Sequence, residues 1–452
     1  MPASARAVLD RSALDLLTTP IRHRQRTWPS TFAALEVRNY RLYLSGQTVA
    51  TTGLWMQRIA QDWLILQLTG SVGAVGIAVA LQFAPVLIFG LFGGVIADRY
   101  PKRRILIVTQ SIACLMALTL GLLALTGVVQ AWHVFLIATL LGFVTVVDNP
   151  TRQVFVSELV GTRHIRNAVS LNSSVFQLGA LVGPALSGLL INAVGQGWSF
   201  LINSFACSTV VVMLIIIKPV ITQLPSAAHR AKGQLREGIA YIRRTSEIAW
   251  TIVLVAVMGV FALNMPVVLA AFAEHEFHLG VSGYSLFNSL SAVGALAGAL
   301  ISARRKGTLR LRSLVTLISL LGVALMIASF APAPWLFCIV LVGIGLATLL
   351  FLTAANSLVQ MTAAPAVRGR VMSVYLLVLL GGQAIGSPVV GWLIDHIGAR
   401  PTMLGNGAMV ALATITAGLV MARRSHLKLA VSARHLRRPV RIVPFAVRSA
   451  AG

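Results

Sequence analysis

The sequence is short of charge, and above all of acidic charge. Only 11% of its 452 residues are charged, and Asp and Glu together number 12. A soluble globular domain carries about 25% charged residues. Together with a hydrophobic fraction of 57%, this shortage excludes an ordinary soluble protein and indicates an integral membrane protein.

Cysteine is also scarce, and the usual catalytic patterns are missing. Cys114, Cys207 and Cys338 each lie in an apolar run without a Cys or His partner at metal-ligand spacing, so we interpret them as packing residues. No P-loop pattern (Gly, four residues, Gly-Lys, then Ser or Thr) occurs, which excludes ATP hydrolysis by that route. We therefore expect no enzyme activity, no cofactor and no metal.

Basic residues, by contrast, give the chain a formal net charge of +25. In a soluble domain that excess would suggest nucleic-acid binding. In a membrane protein it is expected of the cytoplasmic loops, where Lys and Arg set the orientation of the helices. Because no helix-turn-helix or RNP pattern is present, we expect the chain to contact the lipid bilayer and not nucleic acid.

The apolar residues fall into twelve long runs. Each is long enough to cross a hydrocarbon core of about 30 Å as a helix, and none alternates as a barrel strand does. The predicted fold class is an all-α membrane protein with twelve transmembrane helices. The runs are approximately 43–68, 72–96, 105–128, 133–154, 168–192, 198–217, 249–272, 282–302, 313–331, 335–358, 371–394 and 402–422.

The positions of the basic residues predict the orientation. If the N-terminus is cytoplasmic, every Lys and Arg except Arg58 and Arg400 falls in a cytoplasmic tail, a cytoplasmic loop or an adjoining helix end. That asymmetry predicts an even number of helices with both termini in the cytoplasm. The first 42 residues lack the compact apolar core of a cleaved signal peptide, so we expect a tail that ends in a short amphipathic helix.

The helices divide into two pseudo-symmetric halves. A weak repeat supports this division, because three residues of the first half align with three of the second: Arg166, Pro184 and Leu189 with Arg370, Pro388 and Leu393. Two related six-helix halves are typical of transporters that rock around a central site. The predicted organisation is an N-tail (1–42), a six-helix bundle (43–217), a cytoplasmic linker (218–248), a second six-helix bundle (249–422) and a basic cytoplasmic C-tail (423–452).

A charged loop between the second and third helices carries a family resemblance. Its residues resemble the loop motif of the major facilitator superfamily, with Pro101 where the family usually has Gly; they are Gly94, Ala97, Asp98, Arg99, Lys102 and Arg103. The resemblance implies a conformational latch in which Asp98 caps the start of the eleventh helix, near Arg370. We also expect Lys102 and Arg103 to pair with Asp148. The alternative is a solvated basic loop that only sets the topology.

A second resemblance lies in the fifth helix. Four residues there resemble the superfamily's antiporter motif, which the family associates with exporters: Gly179, Gly183, Pro184 and Gly188. Close helix packing explains the same residues equally well, because small side chains let helices approach and Pro adds a bend.

Nearly the whole core, from Arg38 to Arg424, resembles the enterobactin-exporter-like branch of the superfamily, which includes bacterial exporters of siderophores, macrolides and other drugs. The resemblance implies proton-driven export of a small molecule across the bacterial cell (inner) membrane, and we expect a monomer. It is carried by Trp55, Met56, Gln57, Ala60, Asp62, Trp63, Leu64, Asp98, Arg99, Pro150, Arg152, Gln153, Asn167, Ala168, Ser170, Leu171, Asn172 and Ser173.

Ionisable side chains inside the first helix mark a candidate functional site, because charge within a membrane is energetically costly. Arg58 and Asp62 lie four residues apart, so they can pair on one helical face. They belong to a polar stripe with Gln47, Thr51 and Gln61 that should face the cavity. Either Asp62 couples transport to protons, or the pair is a structural one near the outer end of the helix.

Asp148 and Arg152 repeat the four-residue spacing around Pro150. They are candidates for proton coupling or for an ion pair. We favour a structural gate at the cytoplasmic mouth, because the neighbouring Arg152 favours an ionised carboxylate, which cannot carry a proton.

The remaining candidates are uncharged amides within the predicted helices. They can line a pocket for a largely apolar or amphiphilic substrate, although an interhelical hydrogen bond explains each of them as well. They are Gln61, Gln82, Asn172, Gln177, Asn264, Asn288, Asn356 and Gln383.

The leading functional hypothesis is a secondary active transporter that exports a small, largely apolar or amphiphilic molecule by alternating access, in exchange for protons. An importer or uniporter of a small polar solute is the first alternative, because a fold fixes neither substrate nor direction. A membrane scaffold without transport activity is the second.

Overall fold

The computed structural model describes residues 30–217, 234–304, 311–365, 367–424, 427–431 and 440–444. A short 3-10 helix, Ser30–Glu36, precedes the first long helix. Helices α1 to α6 are Arg38–Thr69, Val72–Arg99, Lys102–Leu125, Ala131–Gly161, Arg163–Val194 and Gln196–Ile216. Helix α7 is Gln234–Arg244, and α8 to α13 are Ser246–Glu276, Gly280–Arg304, Leu311–Ser329, Pro334–Thr362, Arg368–Ile397 and Ala399–Arg424. Strands β1 and β2 are Leu427–Val431 and Val440–Pro444.

Eleven of the described helices are long and apolar enough to cross a membrane. Helix α1 is not among them, because its polar stripe, which includes Arg58 and Asp62, lowers its hydropathy. Its 32 residues nevertheless extend about 48 Å at the usual helical rise, and it packs lengthwise on α5 and α6. It therefore completes two six-helix halves, α1–α6 and α8–α13. The predicted all-α membrane fold is confirmed, with α1 as a polar twelfth span.

Much of the predicted tails and linker lies outside the described residues, namely 1–29, 218–233 and most of 423–452. The described end of the N-tail binds the first half, because the Ala34 N–H donates to Asn167 Oδ1 at 2.8 Å. The described end of the linker is α7. In the C-tail, β1 and β2 pair antiparallel, with Leu427 opposite Pro444.

Glycine and proline interrupt several helices. Gly161, in the left-handed region at φ +66°, ends α4 just before α5 begins at Arg163. Helix α8 is itself broken: its first segment ends at Phe261, a second begins at Met265, and a π-turn, Phe272–Glu276, ends it. Irregular backbone at membrane depth is tolerated only where protein or water covers it.

The two halves use the same packing plan. Helix α2 packs on α4 as α9 packs on α11, and α1 packs on α5 as α8 packs on α12. Small residues make these contacts close: Gly93 of α2 lies against the Val146 carbonyl, and Gly345 of α11 lies against the Ser291 carbonyl. Between the halves, α2 packs on α12 and α5 packs on α9.

Two names are used below for the ends of the bundle. The basic end is where α2 ends at Arg99 and α3 begins at Lys102. The far end is where α1 ends at Thr69 and α2 begins at Val72.

Two glycines of α11 should respond differently to the same substitution. A methyl group at Gly345 would collide with the Ser291 carbonyl, whereas one at Gly343 would have nothing within 4 Å. We expect Gly345→Ala to lower the unfolding free energy by about 1–3 kcal/mol through overpacking. Gly343→Ala should leave it unchanged or raise it by up to about 1 kcal/mol, because Ala favours the helix. Thermal unfolding of the purified variants measures both, and equal stabilities would contradict the α9–α11 contact.

Candidate functional site

A carboxylate of one half caps a helix of the other at the far end. Asp395, near the end of α12, accepts hydrogen bonds from the backbone N–H groups of Val72 and Gly73, both at 2.9 Å. It also accepts one from the Ser71 hydroxyl at 2.6 Å. The first N–H groups of a helix have no partner within the helix, and the helix dipole favours a negative charge there. Asp395 therefore holds the start of α2 against α12.

Small residues bring these two helices into contact. A methyl group at Gly391 would lie 2.8 Å from the Gly73 Cα, and Gly76 lies against the Ser387 carbonyl. The close contact between α2 and α12 continues as far as Gly381 of α12, which lies against Leu87 in the middle of α2. The halves are thus in contact from the far end to the middle of this pair.

The second pair between the halves, α5 and α9, repeats the plan with neutral groups. Asn192 Nδ2 donates to Ser282 Oγ at 2.6 Å. Asn192 is the counterpart of Asp395, because each lies three residues before a glycine of nearly identical conformation, Gly195 at φ 91° and Gly398 at φ 89°. The far end is therefore held by two related contacts, one through the carboxylate of Asp395 and one between the neutral side chains of Asn192 and Ser282.

This equivalence corrects the predicted repeat by one residue. Helices α5 and α12 end at Val194 and Ile397, which places Asn192 on Asp395. With Gly195 placed on Gly398, Leu189 falls on Trp392 and Pro184 on Ser387, so the predicted alignment is wrong by one position in this segment.

A third contact between the halves involves Asp62. Its Oδ2 atom accepts a hydrogen bond from the Tyr284 hydroxyl of α9 at 2.8 Å. Trp63 stacks on the same tyrosine ring, with centroids 6.1 Å apart. Asp62 thus accepts its hydrogen bond from a hydroxyl of the other half and not from Arg58, and its role in proton coupling stays a prediction. Sequence reasoning missed Tyr284 because it considered partners only on the same helix.

Arg58 lies one helical turn from Asp62, towards the basic end. Its guanidinium carbon is 4.9 Å from the centroid of the Trp55 ring, within the range of a cation–π interaction. Trp55 in turn meets Phe176 of α5 edge-on at 5.5 Å. Arg58 Nε and Trp55 Nε1 are buried and have no hydrogen-bond partner in the part of the chain that the structure describes.

Asp148 is held within the first half. It accepts hydrogen bonds from Thr109 Oγ1 at 2.8 Å, Gln110 Nε2 at 2.9 Å and Arg152 Nη2 at 2.6 Å. Arg152 also donates to Gln47 Oε1. The network joins α1, α3 and α4, and it supports the expectation of a structural role for this pair.

The predicted pairing of the loop cations with Asp148 is wrong, since Arg152 already occupies that carboxylate. Lys102 Nζ lies 3.7 Å from Glu158 Oε1, an acid that sequence reasoning did not consider. Arg103 donates to the carbonyls of Leu214 and Ile215, at 2.6 and 2.7 Å. Both cations therefore bind their own half.

The other loop residues lie where α2 ends. Gly94 is half-buried, and Asp98 and Arg99 are exposed. The start of α12 contacts α7, since Arg370 Nη1 lies 2.6 Å from Glu237 Oε1. The capping of α12 by Asp98 stays a prediction.

The four antiporter-like residues lie in helix contacts. Gly179 and Gly183 face α1, at Thr51 and Trp55, and Gly188 faces α9. Pro184 is buried within α5. Their association with export stays a prediction.

Two of the predicted pocket amides instead support the break in α8. Asn264 Oδ1 accepts a hydrogen bond from Ser387 Oγ at 2.6 Å. Gln383 Nε2 donates to the Leu263 carbonyl at 3.2 Å. These bonds satisfy polar groups where the helix is interrupted, so both amides have a structural role.

The remaining amides are spread over both halves. Asn288 donates to the Tyr284 carbonyl on its own helix at 2.8 Å, and Asn356 accepts from Gln360. Gln61 is buried, and three others are half-buried: Gln82, Asn172 and Gln177. Their place in a pocket stays a prediction.

Comparison with known proteins identifies the family. A family model described as transmembrane secretion effector matches residues 29–450. The enterobactin exporter EntS of Citrobacter koseri is 24% identical over 393 residues, which cover 84% of this chain and 90% of that protein. The EntS protein of Escherichia coli O1:K1 / APEC is 23% identical over 392 residues, with the same coverage.

Solved structures show the same fold. The nucleoside transporter NupG matches with a TM-score of 0.66 at 13% identity, covering 85% of this chain and 99% of its own. A D-xylose-proton symporter matches with a TM-score of 0.67 at 13% identity, covering 84% and 97%. Because the family model spans nearly the whole chain, this protein belongs to the transmembrane secretion effector family of major facilitator superfamily transporters.

Proposed function

We propose that this transporter exports a small, largely apolar or amphiphilic molecule from the bacterial cytoplasm, in exchange for protons. The observation that carries the proposal is the set of hydrogen bonds that holds the two halves together at the far end. Asp395, Asn192 and Asp62 are each bonded to the opposite half, and in this proposal the path between the halves opens towards the basic end. The similarity to proteins named as enterobactin exporters favours export over import.

The same proposal places the basic end, with both termini, in the cytoplasm. Arg400 is the one basic side chain that lies at the far end by sequence, and its charge is compensated. It donates to Glu276 Oε2 at 2.6 Å and to the carbonyls of Ser329 and Ala331 at 3.1 and 2.8 Å. The remaining loop Lys and Arg residues follow the positive-inside rule.

In the proposed alternating-access cycle, the far-end contacts between the halves break when the basic end closes. The capping of α2 by Asp395 would be lost, and the predicted cap of α12 by Asp98 would latch the basic end, as the family resemblance implies. A ligand shifts such an equilibrium only by binding one state more tightly than the other. Asp62 is the candidate for proton coupling by position, since Asp148 is held inside the first half.

Export should be visible in a pump-deficient bacterium that expresses this chain. We expect it to lower the accumulation of at least one hydrophobic dye or antibiotic, and an uncoupler should abolish the effect because it dissipates the proton gradient. Asp98→Asn should reduce export severalfold, because the predicted latch at the basic end loses its charge. The measurement is accumulation with and without uncoupler, at equal amounts of protein in the membrane.

Glu247→Gln is the matched control, because it removes another exposed acid at the same end of the bundle. It should export normally. A rise in accumulation on expression would indicate import instead, and uncoupler-resistant efflux would contradict proton exchange.

Loss of the Asp395 cap should open the far end. Asp395→Asn keeps the shape of the side chain but has one acceptor oxygen where the carboxylate accepts three hydrogen bonds. We expect the closed state to lose about 1–3 kcal/mol. The reporter is Ser289→Cys, at a buried position of α9, in a variant from which the native cysteines have been removed. The readout is the rate at which a membrane-impermeant maleimide, added outside the cells, labels this cysteine. The labelling rate should rise several-fold or more.

Glu276→Gln tests whether any far-end acid would have this effect. Glu276 binds Arg400 within the second half, so its loss should not change the labelling of position 289. Equal labelling in Asp395→Asn and the parent would show that the cap does not control the far end.

A further inference from the structure

Buried polar groups without a partner are concentrated on two facing helices. In the described chain, five buried side-chain atoms have no hydrogen-bond partner, and one of them, Tyr43 OH, lies elsewhere on α1. The other four are Trp55 Nε1, Arg58 Nε, Ser285 Oγ and Ser289 Oγ. Buried polar atoms in folded proteins nearly always have a partner, so this concentration requires an explanation.

The chemistry of these atoms determines which ligand groups could serve as their hydrogen-bond partners. The Nε–H of arginine and the Nε1–H of tryptophan can only donate, and a serine hydroxyl can donate as well. A ligand that satisfies Arg58 and Trp55 must therefore present acceptor atoms. Since Arg58 is charged, an anionic oxygen is the acceptor that it binds most strongly.

Arg58 differs from Arg152 and Arg400 in that no described acid forms a direct ion pair with it. Arg152 is bonded to Asp148, and Arg400 is bonded to Glu276. Asp62, the acid one turn away on α1, accepts its hydrogen bond from Tyr284. A guanidinium taken out of water is stabilised only by a well-placed opposite charge and hydrogen bonds, and no described side chain supplies both.

Arg58 lies on the face of α1 that meets the junction of the two halves. One turn to one side, Trp55 contacts Phe176 and Gly183 of α5. One turn to the other side, Asp62 contacts Tyr284 of α9. Arg58 is half-buried between them, so it is placed to meet a molecule that enters between the halves from the basic end. Phe176, 46% exposed, extends the aromatic surface of Trp55.

We propose that Arg58 and Trp55 form the anion-binding part of the substrate site, so that the cargo is an aromatic amphiphile with one acidic oxygen group. The acidic oxygens accept from Arg58 Nε and Trp55 Nε1, and the aromatic part packs beside Trp55 and Phe176. This inference rests on the proposed function and names its substrate class. One anionic group suits one unpaired guanidinium, and an anion that leaves an inside-negative cell also moves down the membrane potential.

The test compares matched pairs of aromatic amphiphiles, each a free carboxylic acid and its methyl ester, one pair being a xanthene dye with a single carboxylate. Equilibrium binding to the purified full-length transporter is measured for the parent, Arg58→Gln and Arg58→Lys. We expect the parent to bind the acid about tenfold more tightly than the ester, or better, because hydrogen bonds to charged groups are strong. Arg58→Gln should bind both forms at the affinity of the ester, and Arg58→Lys should retain part of the preference for the acid.

Trp55→Phe provides a second variant, because it removes the Nε1 donor and keeps a smaller aromatic ring. It should weaken acid binding several-fold more than ester binding, and it keeps the test decisive if Arg58→Gln fails to fold. Equal binding of acid and ester by the parent, an unchanged acid preference in Arg58→Gln, or no binding of any pair would overturn the proposal. If the binding test fails but cells still show uncoupler-sensitive efflux of a neutral ester, the anion site is wrong and the proposed export stands. Failure of the site can therefore be distinguished from failure of the proposed function.

Discussion

The structure depends on one capping interaction between its halves. Asp395 of α12 accepts three hydrogen bonds from the start of α2, and this contact fixes how the second half is placed on the first at the far end. The close glycine contacts between the two helices and the bond between Tyr284 and Asp62 all lie between this cap and the middle of the bundle. Arg58 lies one helical turn from the contact between Asp62 and Tyr284, towards the basic end.

Separate sets of polar contacts hold each half together and join the two halves. The Asp148 network fixes α1, α3 and α4 of the first half, and Arg400 ties together α8, α10 and α13 of the second. Between the halves, Asp395, Asn192 and Tyr284 make hydrogen bonds near the far end. Each half is thus fixed by its own polar network, while the halves meet through close helix packing and these hydrogen bonds, an arrangement typical of a rocking transporter.

Much of the fold, but less of the site, could be predicted from the sequence. Twelve helices in two halves could be predicted from the length of the apolar runs, the asymmetry of the basic loops and the loop around Asp98. The bilayer thickness sets the length of a spanning helix, and Lys and Arg collect in cytoplasmic loops. Partners such as Tyr284 and Glu158 lie far away in sequence, so spacing along one helix cannot reveal them. The equivalence of Asp395 and Asn192 could have been predicted, because both segments end in matching glycines. It was missed because an acid at a helix end first suggests a solvated loop.

The central claim is that the two ends of the bundle open and close in opposition, and two distances in the full-length protein test it most directly. Exposed positions suit spin labels: Val128→Cys with Phe330→Cys at the far end, and Tyr100→Cys with Met361→Cys at the basic end. The account predicts that any condition which lengthens the first distance shortens the second, and that the far end is short without substrate. Distances that lengthen together, or a far end that is open without substrate, would contradict it.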